Sequence, residues 1–409
     1  MTTDLRVLRP AEWGAWYTKL EDAFGGITEA PEKRQLWHDL TETERSLAVW
    51  DGAECVGTAT AFSFQLAVPG GAAVPTAGVS FVSVQPTHRR RGVLRSMMRR
   101  QLDDVRAAGE PLAALTASEP DIYGRFGYGF ATQSLYASID LTQVRLSVPD
   151  GTDALSLRLA APESVLDICE AIYAERAIQR PGGLARRPGW ERLALLDPPA
   201  DRAGTSPLKC VLVQENGQPV GYARYAIKLE WQLTGAQGSV HLRDIEALHP
   251  RAYAALWRFL SEIDLTSTLV LRNRPVDDPL LHLVSDIRRC SVRITDRMYV
   301  RLVEVGAALA ARTYAAPVEL VFEVTDPFCP WNEGRWRLSG DRAGATCART
   351  TDAADLALSV RELSSAYLGG VSLAVLGQAG RVQELRKGAL SEAAVAFGHE
   401  LAPWLPHNF

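Results

Sequence analysis

Val82-Ser83-Val84-Gln85-Pro86-Thr87-His88-Arg89-Arg90-Arg91-Gly92-Val93-Leu94 changes backbone period within one short stretch. Upstream, Thr76 to Val84 is rich in β-formers and reads as a strand. It must stop at Pro86, because proline cannot donate to a ladder. Downstream, Leu94, Met97, Met98, Leu102 and Val105 recur at helical spacing, with Arg95, Arg99 and Arg100 on the other face. The loop between is basic and holds one glycine. Amides that open a helix have no intrahelical partner, and the helix dipole adds positive potential there. Gly92 lets a ligand approach the backbone closely, and three arginines add attraction for an anion. Without an anion, cations at a helix start cost about 0.3–1 kcal/mol each. The stretch therefore reads as an anion-binding loop in preference to a solvated charge run.

Working outward, Ser46 to Trp50 and Cys55 to Leu66 flank the turn Asp51-Gly52 and read as a hairpin. Pro111 to Thr116 is a second short strand, so strand, loop, helix and strand form a βαβ-type unit. A Gly-spaced aromatic loop follows, Ile122-Tyr123-Gly124-Arg125-Phe126-Gly127-Tyr128-Gly129. Residues 147–156 carry Pro, Gly and Asp and read as a linker. Beyond them the order repeats: Gly238 to Glu246 as a strand, then His249-Pro250-Arg251, then a helix from about Ala252 to Ile263. This predicts an internal duplication of fold. Arg251-Ala252-Tyr253 stands where the first copy has Gly92. From about Met298 the texture changes again. Helices are expected at Val305 to Arg312, Arg361 to Leu368 and Ser391 to Gly398, and antiparallel strands at Val318 to Val324 and Gly334 to Ser339. The tail Leu401-Ala402-Pro403-Trp404-Leu405-Pro406-His407-Asn408-Phe409 is too apolar for a disordered end and is expected to dock.

The chain has 409 residues, 47% of them hydrophobic and 22% charged, with a formal net charge of −4. This composition supports packed cores, and the acidic balance argues against nucleic-acid binding through Arg89–Arg91. No apolar run reaches the length of a membrane helix. The start Met1-Thr2-Thr3-Asp4-Leu5-Arg6 lacks a secretory pattern, so the cytoplasm is the expected compartment. The six cysteines form no C-x-x-C pair and show no zinc-like spacing with histidine, so no metal is expected. None of the seven histidines has a triad-like setting, and His88 reads as a polar surface residue.

Val84-x-Pro-x-x-Arg89-Arg90-Arg91-Gly92 resembles the acyl-CoA pyrophosphate loop of the GCN5-related N-acetyltransferases, although Leu94 replaces the usual final small residue. With the 122–129 loop, Ala117-Ser118-Glu119 and a terminal Phe, the whole chain resembles the Eis (enhanced intracellular survival) family. The stretch from Ala354 to Gly369 adds a weaker likeness to a sterol-carrier fold. The resemblance implies an α/β (α+β) architecture in three parts. Residues 1–150 would be a catalytic acetyltransferase domain and 151–297 a degenerate copy. Residues 298–409 would be a sterol-carrier-like domain whose terminal carboxylate reaches the active site. It implies acetyl-CoA as co-substrate, held by Val82, Ser83 and Val84, by Arg90, Arg91, Gly92, Val93, Leu94 and Arg95, and by Ser118 and Glu119. Strand backbone at Val82–Val84 suits the amides of the pantetheine arm. Tyr123 matches the family's general acid. Tyrosine, with an ordinary pKa of about 10, is able to protonate a departing thiolate. Phe409 matches the terminal residue whose carboxylate serves as base. An α-carboxyl at about 3.3–3.7 deprotonates an ammonium only if the ammonium is desolvated; a water relay or plain cation binding are the competing roles. The resemblance further implies a homohexamer.

The acceptor is expected to be an amine on a small molecule, with aminoglycosides among the candidates. Trp37 is a candidate pocket wall, equally readable as core, and Asn408 a pocket residue. Aminoglycoside-acetylating members carry pocket acids, one early in the chain and one just before the terminal Phe. Here Gly25-Gly26 and Asn408 stand near those places, and Glu21, Asp22 or Glu29 could substitute for the first. Two rivals remain at this level: a protein lysine acetyltransferase, and a non-catalytic lipid carrier built on the C-terminal domain.

Overall fold

The computed structural model describes residues 3–233 and 235–409. It divides into two compact units. The first comprises Met1–Thr132, Arg180–Ala185 and Arg297–Phe409, and the second Gln133–Gln179 and Arg186–Asp296.

The first unit is built on a mixed sheet of β1 (Asp4–Val7), β2 (Leu47–Asp51), β3 (Glu54–Ala67), β4 (Ala73–Val84), β5 (Leu112–Leu115) and β6 (Gly129–Phe130). The strand Tyr299–Leu302 lies between β5 and β6, antiparallel to both, and Leu184–Ala185 adds to β3. The hairpin expected around Asp51-Gly52 is β2–β3. α1 (Trp13–Ala23) and α2 (Pro31–Leu40) precede it, and α3 (Val93–Ala107) makes the crossover between the parallel pair β4 and β5. Met97, Met98, Leu102 and Val105, the apolar stripe of α3, are at most 2% exposed. Each such side chain contributes about 1.5–3 kcal/mol by leaving water.

The same unit carries a second sheet from the end of the chain, ordered Ala345–Arg349, Gly334–Gly340, Val318–Thr325, Leu356–Ser359 and Val382–Glu384. Helices Val305–Ala310, Val360–Ala366, Leu373–Gln378 and Ala389–Phe397 accompany it. Arg312 is 1% exposed here. Its guanidinium donates to the carbonyls of Thr313, Tyr367 and Phe397 and lies between the rings of Tyr314 and Phe397. A buried charge is tolerated in this setting because each of its three nitrogens donates to a carbonyl.

The second unit has a seven-stranded sheet ordered Arg293–Asp296, Gln133–Asp140, Thr266–Arg274, Gly238–Ala247, Gln218–Lys228, Lys209–Glu215 and Ser156–Ala160. The helix Pro250–Ser261 joins its parallel pair, Gly238–Ala247 and Thr266–Arg274, as α3 joins β4 and β5. The duplication read from the sequence is therefore present in the strand order. The chain enters this sheet at Gln133, ahead of the Pro/Gly/Asp stretch at 147–156. Leu135, Ala137 and Ile139 alternate into its core, and alternation alone does not say which sheet a strand will join. Each sheet thus receives, beside its parallel pair, a strand from outside its own run of sequence.

Candidate functional site

The site starts from a distortion in β4. Pairing with β3 runs Thr58 to Ser83 and then Thr60 to Ser80, so Ala59 alone faces Phe81 and Val82. Phe81 adopts φ +53°, a left-handed conformation that a bulky residue holds only under compulsion, at about 1–3 kcal/mol. The compulsion comes from its neighbours. Thr58 Oγ1 donates to the Phe81 carbonyl at 2.6 Å and lies 2.7 Å from Ser83 Oγ. The rings of Trp16, Tyr17, Trp37 and Phe62 surround that of Phe81 at centroid distances of 5.3–6.0 Å. Bulges of this kind re-aim a strand next to functional sites. Around the bulge the sheet also opens: β4 pairs with β5 only from Thr76 to Gly78. Among the described residues, Val79 to Val84 have no strand on that side. Their backbone groups form an internal sheet edge that an extended, amide-bearing ligand could extend.

β4 leads through Pro86–His88 into the arginine loop. Arg90 at φ +63° and Gly92 at φ +84° turn it, and a Cβ on Gly92 would meet nothing within 4 Å. Ser96 is the first amide of α3 seen to close on the loop, bonding the Gly92 carbonyl at 2.9 Å. The earlier amides of Val93, Leu94 and Arg95 are those a helix start leaves unpaired. Arg90 and Arg91 are exposed and make no ion pair among the described residues. Arg95 points its guanidinium at the Phe328 ring, 5.7 Å from the centroid, and shares that ring with Arg99. His88 corrects its sequence reading. It is 9% exposed, with Nε2 3.1 Å from Asp51 and Nδ1 2.9 Å from Thr87. It braces the loop against the β2–β3 turn.

The second unit has closed the equivalent place. His249 Nδ1 accepts from the Ala252 amide at the start of the helix Pro250–Ser261. Glu215 lies 2.7 Å from Arg251 and 3.5 Å from His249. An imidazole and a carboxylate already answer the donors that an anion would need.

Ser118 and Glu119 are exposed between β5 and the short helix α4 (Pro120–Tyr123). Tyr123 ends α4, and Tyr128 packs on it edge to face at 6.0 Å. Burial, helped by Glu119, pushes the Tyr123 hydroxyl up to about 12. A phenol held there keeps its proton throughout the neutral range.

The tail docks in the first unit. Pro403, Trp404 and Leu405 are buried, the Trp404 amide donates to the Pro181 carbonyl, and Arg180 donates to the Ala402 carbonyl at 2.6 Å. Phe409 is 6% exposed, its ring 5.0 Å from that of Phe64. The Ser80 hydroxyl donates to the terminal carboxylate at 2.9 Å. The carboxylate is therefore seated on β4 one residue before the bulge. Sequence reading missed Ser80, since a serine within a strand carries no signal of its own. Asn408 is exposed, and Trp37, 8% exposed, stands in the aromatic cluster around Phe81. Two of the acids offered as substitutes for a pocket acid are engaged elsewhere: Glu21 with Arg34, and Glu29 with Tyr17 and Lys33. No group of three or more His, Cys, Asp or Glu among the described residues could hold a metal. No helix there is long and apolar enough to cross a membrane.

Comparison with known proteins gives three domain matches: Acetyltransferase (GNAT) domain at residues 4–131, a second Acetyltransferase (GNAT) domain at 182–302, and Sterol carrier protein domain at 305–406. An uncharacterized N-acetyltransferase of Streptomyces avermitilis is 64% identical over the full length of both chains. N-acetyltransferase Eis of Mycobacterium tuberculosis is 35% identical over 91% of each. A crystal structure of Eis1 from Mycobacterium abscessus superposes with a TM-score of 0.84 at 36% identity, covering both chains completely.

Proposed function

The chain belongs to the Eis family of GNAT N-acetyltransferases, and from that premise we propose that it moves an acetyl group from acetyl-CoA to an amine of a small molecule. The observation that carries this reading is the terminal carboxylate of Phe409 held by Ser80 on the open stretch of β4. The family uses acetyl-CoA, which when bound supplies the acetyl thioester. The residues present fit it. Val82–Val84 offer an unpaired strand edge, Gly92 leaves space for a pyrophosphate, and Arg90 and Arg91 are exposed cations beside the open first turn of α3. Ser118 and Glu119 flank the Tyr123 turn, and Arg95 serves by charge at longer range. In this reading the Phe409 carboxylate receives the amine, holding it as a cation or taking its proton, directly or through water. Tyr123 gives its proton to the departing thiolate. The homohexamer implied by the resemblance is part of this proposal, tested by light scattering at micromolar concentration.

One cleft bears on the carrier alternative. An open cleft of about 650 Å³ in the C-terminal sheet is rimmed by Glu319, Asp341 and Glu392, a polar lining unsuited to a lipid.

The acceptor follows from charge and rings. With Asn408 beside the terminus and Glu21 and Glu29 engaged, polycations meet few free carboxylates, while the aromatic cluster of Trp37 and Phe81 lies beside the same strand. An amine panel with acetyl-CoA, read by thiol release, should favour mono- and diamines with an aromatic part over aminoglycosides. Asn408→Glu should raise aminoglycoside turnover. Efficient wild-type acetylation of kanamycin-like compounds at several amines would refute this acceptor assignment, and acetylation confined to protein lysines would favour the other enzyme reading.

The terminus gives a separate test. A short Gly-Ser extension converts the Phe409 carboxylate into an amide and should lower activity at least about tenfold, the scale of losing a general base. Acetyl-CoA affinity should change little. The melting temperature should fall only modestly, because the Ser80 contact is one hydrogen bond, about 0.5–1.5 kcal/mol. Full activity in the extended protein would place the base elsewhere.

A further inference from the structure

The turn carrying Tyr123 does not rest on its own stretch of chain. Gly127, at φ +85°, lies so close to Arg301 that a Cβ would sit 2.8 Å from the guanidinium carbon. Arg301 comes from the strand Tyr299–Leu302 and is wholly buried. Its Nη2 reaches Asp326 Oδ2 at 2.5 Å and its Nη1 donates to the Leu302 carbonyl at 3.0 Å. Asp326 is fixed in turn by the Cys329 amide and by Asn332 Nδ2, each at 3.0 Å. Asn332 also accepts from the Val305 amide and donates to the Val303 carbonyl. This network leaves two buried atoms unanswered among the described residues, Arg301 Nε and the Tyr128 hydroxyl. Tyr128 is 1% exposed and packs its ring on Tyr123. A buried polar group without a partner calls for an explanation, and a functional role is one of the accepted ones.

We propose that Arg301, anchored on Asp326, is a positioning residue for acetyl transfer. It sets the Tyr123 turn through its close contact with Gly127, so that the Tyr123 hydroxyl is held where it gives up its proton. The inference rests on Tyr123 as general acid.

The experiment measures kcat and KM for acetyl-CoA in Arg301→Met, in Arg301→Met with Asp326→Leu, and in Gly127→Ala, each also combined with Tyr123→Phe. The paired Arg301/Asp326 variant avoids leaving a lone buried carboxylate, and Gly127→Ala retains both charged residues while its Cβ, 2.8 Å from the guanidinium carbon, disturbs only the contact, so a poorly folding single variant does not end the test. In the Tyr123 background each should lower kcat about tenfold or more with KM within twofold. In the Tyr123→Phe background the further loss should be less than twofold, because the two act on one step. The defect should also shrink with an aryl thioester donor, whose thiolate leaves without a proton. Equal losses in both backgrounds would overturn the role of Arg301. If Tyr123→Phe itself costs nothing, the general-acid reading has failed instead.

Discussion

Replacing Tyr123 with Phe should lower kcat by about 10²–10⁴, the range for loss of a general acid, while acetyl-CoA affinity holds. The ring is retained, so its edge-to-face contact with Tyr128 persists and the turn keeps its shape. What is lost is a proton on a phenol whose burial pushes it up to about 12. That direction predicts a pH profile as well as a rate. A raised pKa keeps the acid form populated until the pH approaches it, so Tyr123 should put no descending limb on kcat between pH 7 and 10. A descending limb in that window that Tyr123→Phe abolishes would contradict the burial argument. Activity within twofold of the parent would return Tyr123 to a packing role.

Gly92→Glu should abolish acetyl-CoA binding measured by calorimetry while far-ultraviolet dichroism shows an intact fold. Two effects combine. A side chain at φ +84° is strained by about 1–3 kcal/mol, and a carboxylate there faces the same open amides of α3 that would receive a pyrophosphate. Because a Cβ meets nothing within 4 Å, the substitution has room and the unit has no steric reason to unfold. Gly92→Ala separates the effects, since it brings the strain without the charge, and its loss of affinity should be small beside that of the glutamate. Unchanged affinity in Gly92→Glu would remove the loop from the cofactor site.

The strand, loop and helix around Gly92 were legible because three local signals coincide there: Pro86, the basic run, and the helical spacing of Leu94, Met97 and Met98. The repeated order in the second half was legible for the same reason, and the two acetyltransferase domain matches agree with it. Other features depend on contacts made far along the chain. Ser80 gains its place from a residue 329 positions later. Arg301, flanked by Val300 and Leu302, reads as the outward face of an alternating strand, and only Asp326 makes its burial tolerable. His88 was misread because a histidine in a basic loop gives no hint of Asp51 across the hairpin. The bulge at Phe81 has no local signature either, since its backbone is fixed by Thr58 and by rings from two helices.

The strand Tyr299–Leu302 has a consequence for how the protein is made. β5 is synthesised early, yet its neighbour in the sheet follows after about 180 residues of further sequence, on the order of ten to forty seconds at about 5–20 residues per second of translation. Through that interval the Leu112–Leu115 edge, wholly apolar, waits unpaired, the kind of exposed strand that invites aggregation. The first half of the duplication cannot be released as a finished module by stopping the chain at its apparent boundary. An ancestral single-copy protein would have had to supply that strand from its own C-terminus or from a second molecule.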